Sequence, residues 1–405
     1  MNQPGVIMEI SAAYSPSEIF GVEESGQVPR VFIAPSRYVQ GPGVVNGMGR
    51  YLSLLKCDRV AILISRRGRS VEGERFTAVL EAANKEPIFT EFEGECSTEE
   101  IETKVQELAT KTVGCVIAVG GGKCIDAGKA IAFRLGIPSV IVPTLASNDA
   151  PCSALSVIYS TAGVSTGVEF YPNSPALVVV DTEIIAAAPE RYLVSGIGDA
   201  MATWYEADVC LRNPSAITAV FARPTLASSA IGSVCASTLF EQGKAAAGAV
   251  ANNRVDAVLE NVVEANTLLS GLGFESGGVA AAHGIAQSYT ALPTVHANYL
   301  HGEMVAMGTL AQLMMEERHS EAKKVAQFFS DVGLPIHLGQ LSLAPTDTAA
   351  LETIVEAALT FPFMSNMPMA VDAEMVSRSI LGAHALGRQI CEEYGDESYR
   401  RLHEN

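Results

Sequence analysis

The sequence predicts an α/β fold in two parts: a parallel-sheet domain in the first half and an all-helical domain in the second. Short apolar runs alternate with helical patterns as far as about residue 189, and the strand signal disappears after that point. Strands that alternate with helices indicate parallel crossovers and a doubly wound sheet. The length of 405 residues also favours two domains, because one hydrophobic core rarely grows that large.

The predicted strands are mostly continuous apolar runs, which is typical of a parallel sheet covered by helices on both faces. Residues 1–29 show no regular pattern and are expected to form an irregular extension, so the α/β domain is placed at 30–189. In chain order, strands are expected at 31–36, 60–65, 114–122, 139–144 and 176–181, and helices at 72–84, 98–112 and 123–136.

The second half carries helical patterns alone, so residues 190–405 are predicted to form a helical domain. Pro189 fits either a hinge or the first turn of the helix that opens this domain. The expected helices cover 192–211, 217–242, 252–271, 277–290, 301–318, 320–333, 347–360 and 372–390.

Charge and cysteine content narrow the class of function. The formal net charge is −18 and the pI is near 4.8, so the surface repels phosphate backbones and nucleic acid is not an expected partner. No apolar run approaches the roughly 20 residues that span a bilayer, so no membrane association is expected. The first residues lack the pattern of a signal peptide. The eight cysteines form no CxxC pair and are interpreted as reduced thiols of a cytoplasmic protein.

A glycine-rich turn, GGGKCIDAGK, begins at residue 120 where a predicted strand ends. The backbone N–H groups of Gly121 and Gly122 can approach a pyrophosphate there, and the N-terminus of the next helix favours its negative charge. Lys123 fits a phosphate ligand or a solvated lysine, and Asp126 either complements the helix dipole or orders the loop. Because the turn lacks the GxxxxGK[ST] and GxGxxG patterns, a tight strand–helix turn without a ligand stays open.

A second candidate loop follows the next strand, in VPTLASNDAPCSALSVIYS (142–160). Ligands bind beyond the carboxyl ends of the strands in such sheets, and both loops meet that rule. Asp149 is suited to bind a substrate hydroxyl, or else it forms an Asx turn before Pro151. The other polar candidates of this loop are Thr144, Ser147, Ser153 and Tyr159.

Asp199, His283 and His301 are candidate ligands of a divalent metal. Two imidazoles and a carboxylate leave one coordination position free for water or substrate, as catalytic zinc sites do. His283 lies in GGVAAAHGIA, where an unpaired imidazole is costly to bury, and His301 stands at a predicted helix start. From these residues alone, an N-cap role for Asp199 and packing roles for the histidines stay open, and His296 is the nearest competing histidine.

Six segments along the chain carry a family pattern: GGGKCIDAGKA, IVPTLASNDAPCSALSVIYS, LVVVDT, SGIGDAMATWYEA, EANTLLSGLGFESGGVAAAH and HGEMVAMGTL. Together they resemble the glycerol dehydrogenase branch of the iron-containing (group III) alcohol dehydrogenase superfamily. The resemblance runs from about residue 31 to 390. It implies an N-terminal Rossmann-like domain and a C-terminal helical domain, the dehydroquinate synthase-like architecture. It also implies a cleft for NAD and one divalent metal, usually zinc.

The resemblance further implies roles for individual residues. Asp199, His283 and His301 would hold the metal, and Asp149 would bind the substrate. The expected reaction is the oxidation of glycerol or a related vicinal diol, glycerol giving dihydroxyacetone, with hydride transfer to NAD. Because the family is commonly oligomeric, a homo-oligomer is expected, an octamer being frequent. The dinucleotide would be bound by Gly121, Gly122, Lys123, Asp126, Thr144, Ser147, Ser153, Leu155 and Tyr159.

Thr203 bears on which metal is used. Iron-dependent relatives carry a fourth ligand, a histidine one helical turn after the aspartate, and this chain has Thr203 there. Threonine cannot replace an imidazole, so a three-ligand site that prefers zinc is expected.

The end of the second strand departs from the glycerol dehydrogenases that this chain resembles. They carry an acidic residue there that holds the adenine ribose, whereas this chain has Ile64 and Ser65. Arg66, Arg67 and Arg69 follow, and arginine near the ribose can accommodate a 2′-phosphate. NADP use is therefore one interpretation of this segment, and a solvated basic loop is the other.

Four alternative functions stay open beside the oxidation of glycerol. They are another polyol dehydrogenase, a glycerol-1-phosphate dehydrogenase, a dehydroquinate synthase-like lyase and a non-catalytic metal- and nucleotide-binding protein.

Overall fold

A six-stranded sheet, in which every neighbouring pair of strands is parallel, organises the first half of the computed structural model, which describes residues 14–21 and 27–404. The α/β fold expected from the sequence is thereby confirmed. The strands are β1 Tyr38–Gly41, β2 Arg59–Ser65, β3 Glu86–Phe92, β4 Cys115–Gly120, β5 Ser139–Pro143, β6 Leu155–Tyr159, β7 Ser165–Phe170 and β8 Leu177–Asp181. The order in the sheet is β1-β8-β5-β4-β2-β3, and β6 and β7 pair as an antiparallel hairpin outside it.

Helices cover both faces of this sheet. Successive residues of a strand point to opposite faces, so β2 contributes Ile62 to a core with Phe76 and Leu63 to another with Ile101. Because both faces are buried, the strand reads as a continuous apolar run. The helices of this half are α1 Pro16–Phe20, α2 Met48–Tyr51, α3 Arg66–Ala82, α4 Thr98–Ala109, α5 Gly122–Leu135 and α6 Thr182–Ala186, with 3₁₀ turns at Val44–Gly47 and Leu52–Leu54.

The second half of the described chain is helical, and α7, Glu190–Arg212, lies at its centre. Most of α7 is buried, because α8, α10 and α13 pack around it. No helix among the described residues is both long and apolar enough to cross a membrane. The elements after α7 are α8 Leu226–Ala251, α9 Ala257–Glu264, a π-helical turn Ala265–Leu269, α10 Ser270–Gly277, α11 Ala281–Tyr289, α12 Pro293–Asn298, α13 His301–Met315, α14 His319–Val332, α15 Thr348–Leu359, α16 Ala373–Tyr394 and α17 Glu397–His403, with 3₁₀ turns at Leu338–Leu341 and Pro362–Asn366.

The strand predicted at 31–36 is wrong, since the first strand of the sheet is β1. The backbone of that segment does not pair with the sheet, because Ile33 donates its N–H to Ser276 Oγ at 2.9 Å and Pro35 has no N–H to donate. Within the extension expected to be irregular, the short helix α1 departs from that prediction. Residues 1–13 and 22–26 of the extension lie outside the described residues.

Two further strand features have weak sequence signals and were not predicted. Strand β3 lies at the sheet edge with most of its residues partly exposed, and charged residues interrupt its apolar pattern. The hairpin of β6 and β7 begins inside the segment expected to be a long loop. The helix predicted at 217–242 starts late, at α8, because Pro224 disfavours helix before it and Thr225 forms a capping box with Ser228.

Candidate active site

Three helices bring Asp199, His283 and His301 together. Asp199 lies in the middle of α7, so the N-cap alternative is wrong, while His283 lies in the first turn of α11 and His301 begins α13. Asp199 Oδ1 lies 3.5 Å from Nε2 of His283 and 3.3 Å from Nε2 of His301. One candidate ligand atom from each of the three residues lies within 4.8 Å of the other two. The three sequence candidates therefore form a single cluster.

The donor set of this cluster fits a divalent cation. Asp199 is only 1% exposed, and neither of its carboxylate oxygens has a hydrogen-bond partner among the described residues. A buried carboxylate is costly unless it is paired or binds a metal. The side chain of His301 is 48% exposed, so one side of the cluster is open to solvent. Two nitrogens, one oxygen and an open side match a catalytic zinc-type site.

Electrostatic coupling links the cluster to Asp149. Although burial favours the protonated acid, the imidazoles of His301 and His283 hold the pKa of Asp199 well below its usual range. Burial alone lowers the pKa of His283, but Glu206 and Asp199 raise it well above its usual range. Burial, and then the charge of Asp199, raise the pKa of Asp149 to about 7. A bound cation would offset this concentration of carboxylates.

Asp149 lies beside this cluster rather than in an Asx turn. Ser270 Oγ donates to Asp149 Oδ2 at 2.9 Å, and Thr203 Oγ1 lies 2.8 Å from Ser270 Oγ. The Asx turn before Pro151 is made by Asn148 instead, whose Oδ1 accepts the N–H of Ala150 at 3.2 Å. The carboxylate of Asp149 is therefore held by α10, and its Oδ1 has no hydrogen-bond partner among the described residues.

The glycine turn and the second loop meet at the carboxyl edge of the sheet. Strands β4 and β5 are neighbours, and the N–H of Thr144 donates to the carbonyl of Gly120 at 3.0 Å. Gly121 precedes α5, and Gly122 is its first residue. A Cβ on Gly122 would lie 2.6 Å from Nδ2 of Asn148, so a side chain there would have to displace the Asn148 amide of the second loop. Backbone N–H groups in the first turn of a helix have no acceptor within the helix, so those at the start of α5 are suited to bind an anion.

Two of the predicted dinucleotide-binding side chains are committed to buried contacts. Asp126 pairs with Lys129 at 2.9 Å and accepts the N–H of Val157 at 3.1 Å. Lys129 also donates to Ser153 Oγ at 3.1 Å. Because Asp126 and Ser153 are both buried, their side chains attach the loop and β6 to α5. If these two side chains contribute to dinucleotide binding, they would do so by ordering the loop. That is one of the two roles expected for Asp126 from the sequence.

The remaining predicted positions lie nearer the surface. Lys123 forms an ion pair with Glu95, and its ammonium group lies 5.0 Å from the ring centroid of Tyr159. The backbone carbonyl oxygen of Ser147 accepts a hydrogen bond from the hydroxyl of Ser195. This contact joins the second loop to α7. Leu155 is partly buried at the start of β6.

The end of β2 carries no acidic residue. Ser65 caps α3 by accepting the N–H of Gly68 at 3.1 Å. Two of the arginines are engaged: Arg66 pairs with Glu91 at 2.9 Å, and Arg69 lies 4.5 Å from the ring centroid of Phe89. Arg67 is exposed and its side chain makes no hydrogen bond or ion pair with the described residues.

Glu206 also belongs to the candidate site, although it was not predicted from the sequence. It is fully buried, its Oε2 lies 2.5 Å from Nδ1 of His283, and its Oε1 accepts the N–H of His283 at 2.9 Å. Its spacing was a usable signal, because positions seven apart share a helix face and Asp199 stands seven residues earlier.

Comparisons with known proteins identify the family. The family model for iron-containing alcohol dehydrogenases matches residues 35–182. Glycerol dehydrogenase of Escherichia coli is 40% identical over 376 residues, which are 90% of this chain and 99% of that protein. Glycerol dehydrogenase of Thermotoga maritima is 41% identical over 88% of this chain and 97% of its own. A glycolaldehyde reductase of Halobacterium salinarum is 38% identical over 89% of this chain and 98% of that protein.

Solved structures give the same result. The crystal structure of glycerol dehydrogenase from Schizosaccharomyces pombe superposes with a TM-score of 0.86 at 32% identity, covering 90% of this chain and 93% of that one. A probable glycerol dehydrogenase from Sinorhizobium meliloti gives a TM-score of 0.83 at 38% identity, covering 89% and 99% of the two chains. Similarity at this level over nearly whole chains confirms the resemblance found in the sequence. The chain belongs to the glycerol dehydrogenase branch of the iron-containing alcohol dehydrogenase family.

Proposed function

We propose that this protein oxidises glycerol to dihydroxyacetone, with NAD as the hydride acceptor and a divalent metal held by Asp199, His283 and His301. The observation that carries the proposal is the buried carboxylate of Asp199, which has no hydrogen-bond partner among the described residues and faces two imidazole nitrogens. The glycerol dehydrogenases among the relatives support the choice of substrate.

Each residue would have a distinct task. When bound, the metal would supply Lewis acidity that lowers the pKa of an alcohol, and the nicotinamide would accept the hydride. Asp149 would accept a hydrogen bond from a terminal hydroxyl of glycerol at Oδ1, while Ser270 holds its other oxygen. The N–H groups at the start of α5, which follows Gly121, would bind the pyrophosphate.

Zinc is the metal we propose for this site. The position where iron-dependent relatives would place a fourth ligand is Thr203, which is fully buried and hydrogen-bonded to Ser270. A carboxylate and two imidazoles without a further ligand suit zinc, which accepts an open four-coordinate site.

NADP is a second candidate cofactor, favoured by the end of β2. The end of β2 itself has no acidic residue, and the neighbouring carboxylate of Glu91 on β3 is paired with Arg66. Little negative charge is therefore left there to repel a 2′-phosphate. Since Arg66 and Arg69 are engaged with Glu91 and Phe89, Arg67 is the arginine we propose for that phosphate. Arg67→Ala should lower kcat/KM for NADP⁺ about tenfold and leave kcat/KM for NAD⁺ unchanged. A wild-type protein with a strong preference for NAD⁺ would rule the NADP proposal out.

The test of the main proposal is a substrate panel. Initial rates of nicotinamide reduction would be measured with glycerol, 1,2-propanediol, 2,3-butanediol and glycerol-1-phosphate, with both cofactors, before and after zinc is returned to chelated protein. We expect zinc-dependent oxidation of glycerol. Reduction of the cofactor with glycerol-1-phosphate alone would favour the phosphate-specific alternative. That outcome is not expected, because a phosphate needs a cationic partner. Among the described residues, no lysine or arginine forms an ion pair with Asp149, Asp199, His283 or His301.

Assembly and location also belong to the proposal. We propose a cytoplasmic homo-oligomer, in line with the family resemblance. Light scattering of the purified protein would measure the mass of the assembly, and a mass of one chain, 42.7 kDa, would contradict an oligomer.

A further inference from the structure

Glu206 makes three contacts with the segment that carries His283. Its Oε2 lies 2.5 Å from His283 Nδ1, and its Oε1 accepts the backbone N–H groups of His283 at 2.9 Å and Ala280 at 2.7 Å. Both the ring and the backbone of the first turn of α11 are therefore attached to one carboxylate on α7. This carboxylate is fully buried, so water does not compete for these contacts.

The chemistry of the contact decides which nitrogen of His283 faces the cluster. A carboxylate only accepts hydrogen bonds, so the proton between the two groups belongs to Nδ1. In the neutral form of the ring, which is the form that binds a metal, the lone pair then lies on Nε2, the nitrogen that is 3.5 Å from Asp199 Oδ1. The ring is thus held in the tautomer and orientation that a metal ligand requires.

The second imidazole is held differently. The side chain of His301 is half-exposed, and Asp199 is the one charged group within ion-pair distance of it among the described residues. Of the two histidines, only His283 therefore has a second buried carboxylate, that of Glu206, on the ring nitrogen that faces away from Asp199. The orientation of His283 is therefore fixed by Glu206, a residue outside the cluster, whereas among the described residues no charged group outside the cluster holds His301.

We infer that Glu206 is a positioning residue of the metal site, which fixes His283 in its Nδ1–H tautomer and directs Nε2 toward the cation. This inference rests on the proposed function, because it assumes that the cluster binds a divalent metal. Glu206 itself touches neither substrate nor metal, and it acts through His283. The hydrogen bond to a carboxylate also makes the imidazole a more basic ligand.

Glu206→Gln tests this role with little change in size. If the amide oxygen stays on the backbone N–H groups, the NH₂ group faces Nδ1 of His283 and favours the opposite tautomer, with the proton on Nε2. We expect the affinity for Zn²⁺ to fall about 10- to 100-fold, measured by competition with a chromophoric chelator. The absorption spectrum of the Co²⁺-substituted protein should shift as well, since the ligand field changes.

Glu275→Gln is the matched control. Glu275 is also fully buried and accepts a backbone N–H, that of Ala154 at 2.8 Å, but it contacts none of the three cluster residues. We expect its Zn²⁺ affinity and Co²⁺ spectrum to match those of the wild type. Wild-type values in the Glu206→Gln protein would overturn the inference. A wild-type protein that binds no Zn²⁺ would instead contradict the proposed function.

A structure of the zinc-loaded wild-type protein tests the inference without any variant, and so also decides it if Glu206→Gln fails to fold. We expect zinc on Nε2 of His283, with Glu206 within hydrogen-bond distance of Nδ1. Zinc bound to Nδ1, or Glu206 turned away from the ring, would show that the carboxylate does not position the ligand.

Discussion

His301 is the proposed ligand whose removal should separate metal binding from folding. Its side chain is 48% exposed, so truncation to alanine removes little packing. We expect His301→Ala to lose bound metal and to lower kcat by at least about a thousandfold, because Lewis acidity and substrate orientation disappear together. Circular dichroism should show an unchanged helix content, and mass spectrometry under native conditions should show no metal.

His296→Ala is the control for that variant. His296 was the nearest competing histidine in the sequence, and in the structure its Nε2 lies 2.8 Å from the carbonyl oxygen of Gly163, outside the cluster. Normal metal content is expected for this protein. If His296→Ala lost its metal and His301→Ala kept it, the assignment of the ligands would be wrong.

Asp149 should matter most for substrates with a third hydroxyl. In Asp149→Asn the charged acceptor is lost, and a hydrogen bond to a charged group contributes about 1.5–3 kcal/mol, so kcat/KM for glycerol should fall about 10- to 100-fold. The compound 1,2-propanediol lacks the terminal hydroxyl that Asp149 would bind, and its kcat/KM should change far less. Equal losses with both substrates would contradict this role.

Among the residues of the site, the sequence was enough to predict the three residues that cluster, but not the residues that support them. Asp199, His283 and His301 stand in glycine- and alanine-rich segments that match a known family, and the structure brings them into one cluster. Glu206 and Ser270 were missed because their roles arise from contacts across helices, which no local pattern reports. Lys123 could not be assigned either, since its ion pair with Glu95 depends on the tertiary fold.

At the scale of helices, close approach of α13 to α7 determines where His301 lies. A Cβ on Gly302 would lie 1.8 Å from the carbonyl oxygen of Ser195, which is too close for any side chain. Gly302→Ala must push α13 away from α7, so we expect loss of metal and a destabilisation of several kcal/mol. The measurements are metal content and the midpoint of urea unfolding.

Gly248→Ala is the matched substitution in α8. A Cβ there meets nothing within 4 Å, so the change removes only backbone freedom from the unfolded chain. A gain of about 0.5–1 kcal/mol is expected, with normal metal content. Similar losses in both glycine variants would mean that the spacing between α7 and α13 is not what Gly302 protects.

Glu275 on α10 should make the stability of the protein depend on pH. Burial raises the pKa of Glu275 to about 7, above the value of about 4.3 in an unfolded chain. Its favourable contribution is therefore complete below about pH 4.3 and is lost as the pH rises to about 7. Glu275→Gln does not titrate, so its free energy of unfolding relative to wild type should increase by on the order of 1–3 kcal/mol between pH 5 and pH 8. A constant difference across that range would contradict the shift.

Elements were predictable where burial is uniform along the chain. Strands β2, β4, β5 and β8 have nearly continuous buried runs, and their positions agree with the sequence. The four-residue edge strand β1 and the hairpin of β6 and β7 were missed, because short or half-exposed strands with polar residues carry little periodic signal. Tertiary pairing, not local preference, creates them.

At the scale of the whole molecule, the candidate site lies where the two halves of the chain meet. Asp149 comes from the loop after β5, whereas Asp199, His283 and His301 come from three helices of the second half. Close packing fixes this junction, since a Cβ on Gly196 of α7 would lie 2.0 Å from the carbonyl oxygen of Ala146. The glycine turn opens at the same edge of the sheet, so a dinucleotide and a metal-bound alcohol would share one cleft.

We propose that one divalent metal per chain, at Asp199, His283 and His301, is required for the oxidation of glycerol. The most direct measurement is the initial rate of NAD⁺ reduction by glycerol in chelated protein as Zn²⁺ is titrated back, with bound metal counted in the same samples. We predict no activity without metal and a rate that rises in proportion to occupancy until one metal per chain is bound. Full activity in metal-free protein would show that the oxidation does not need the metal.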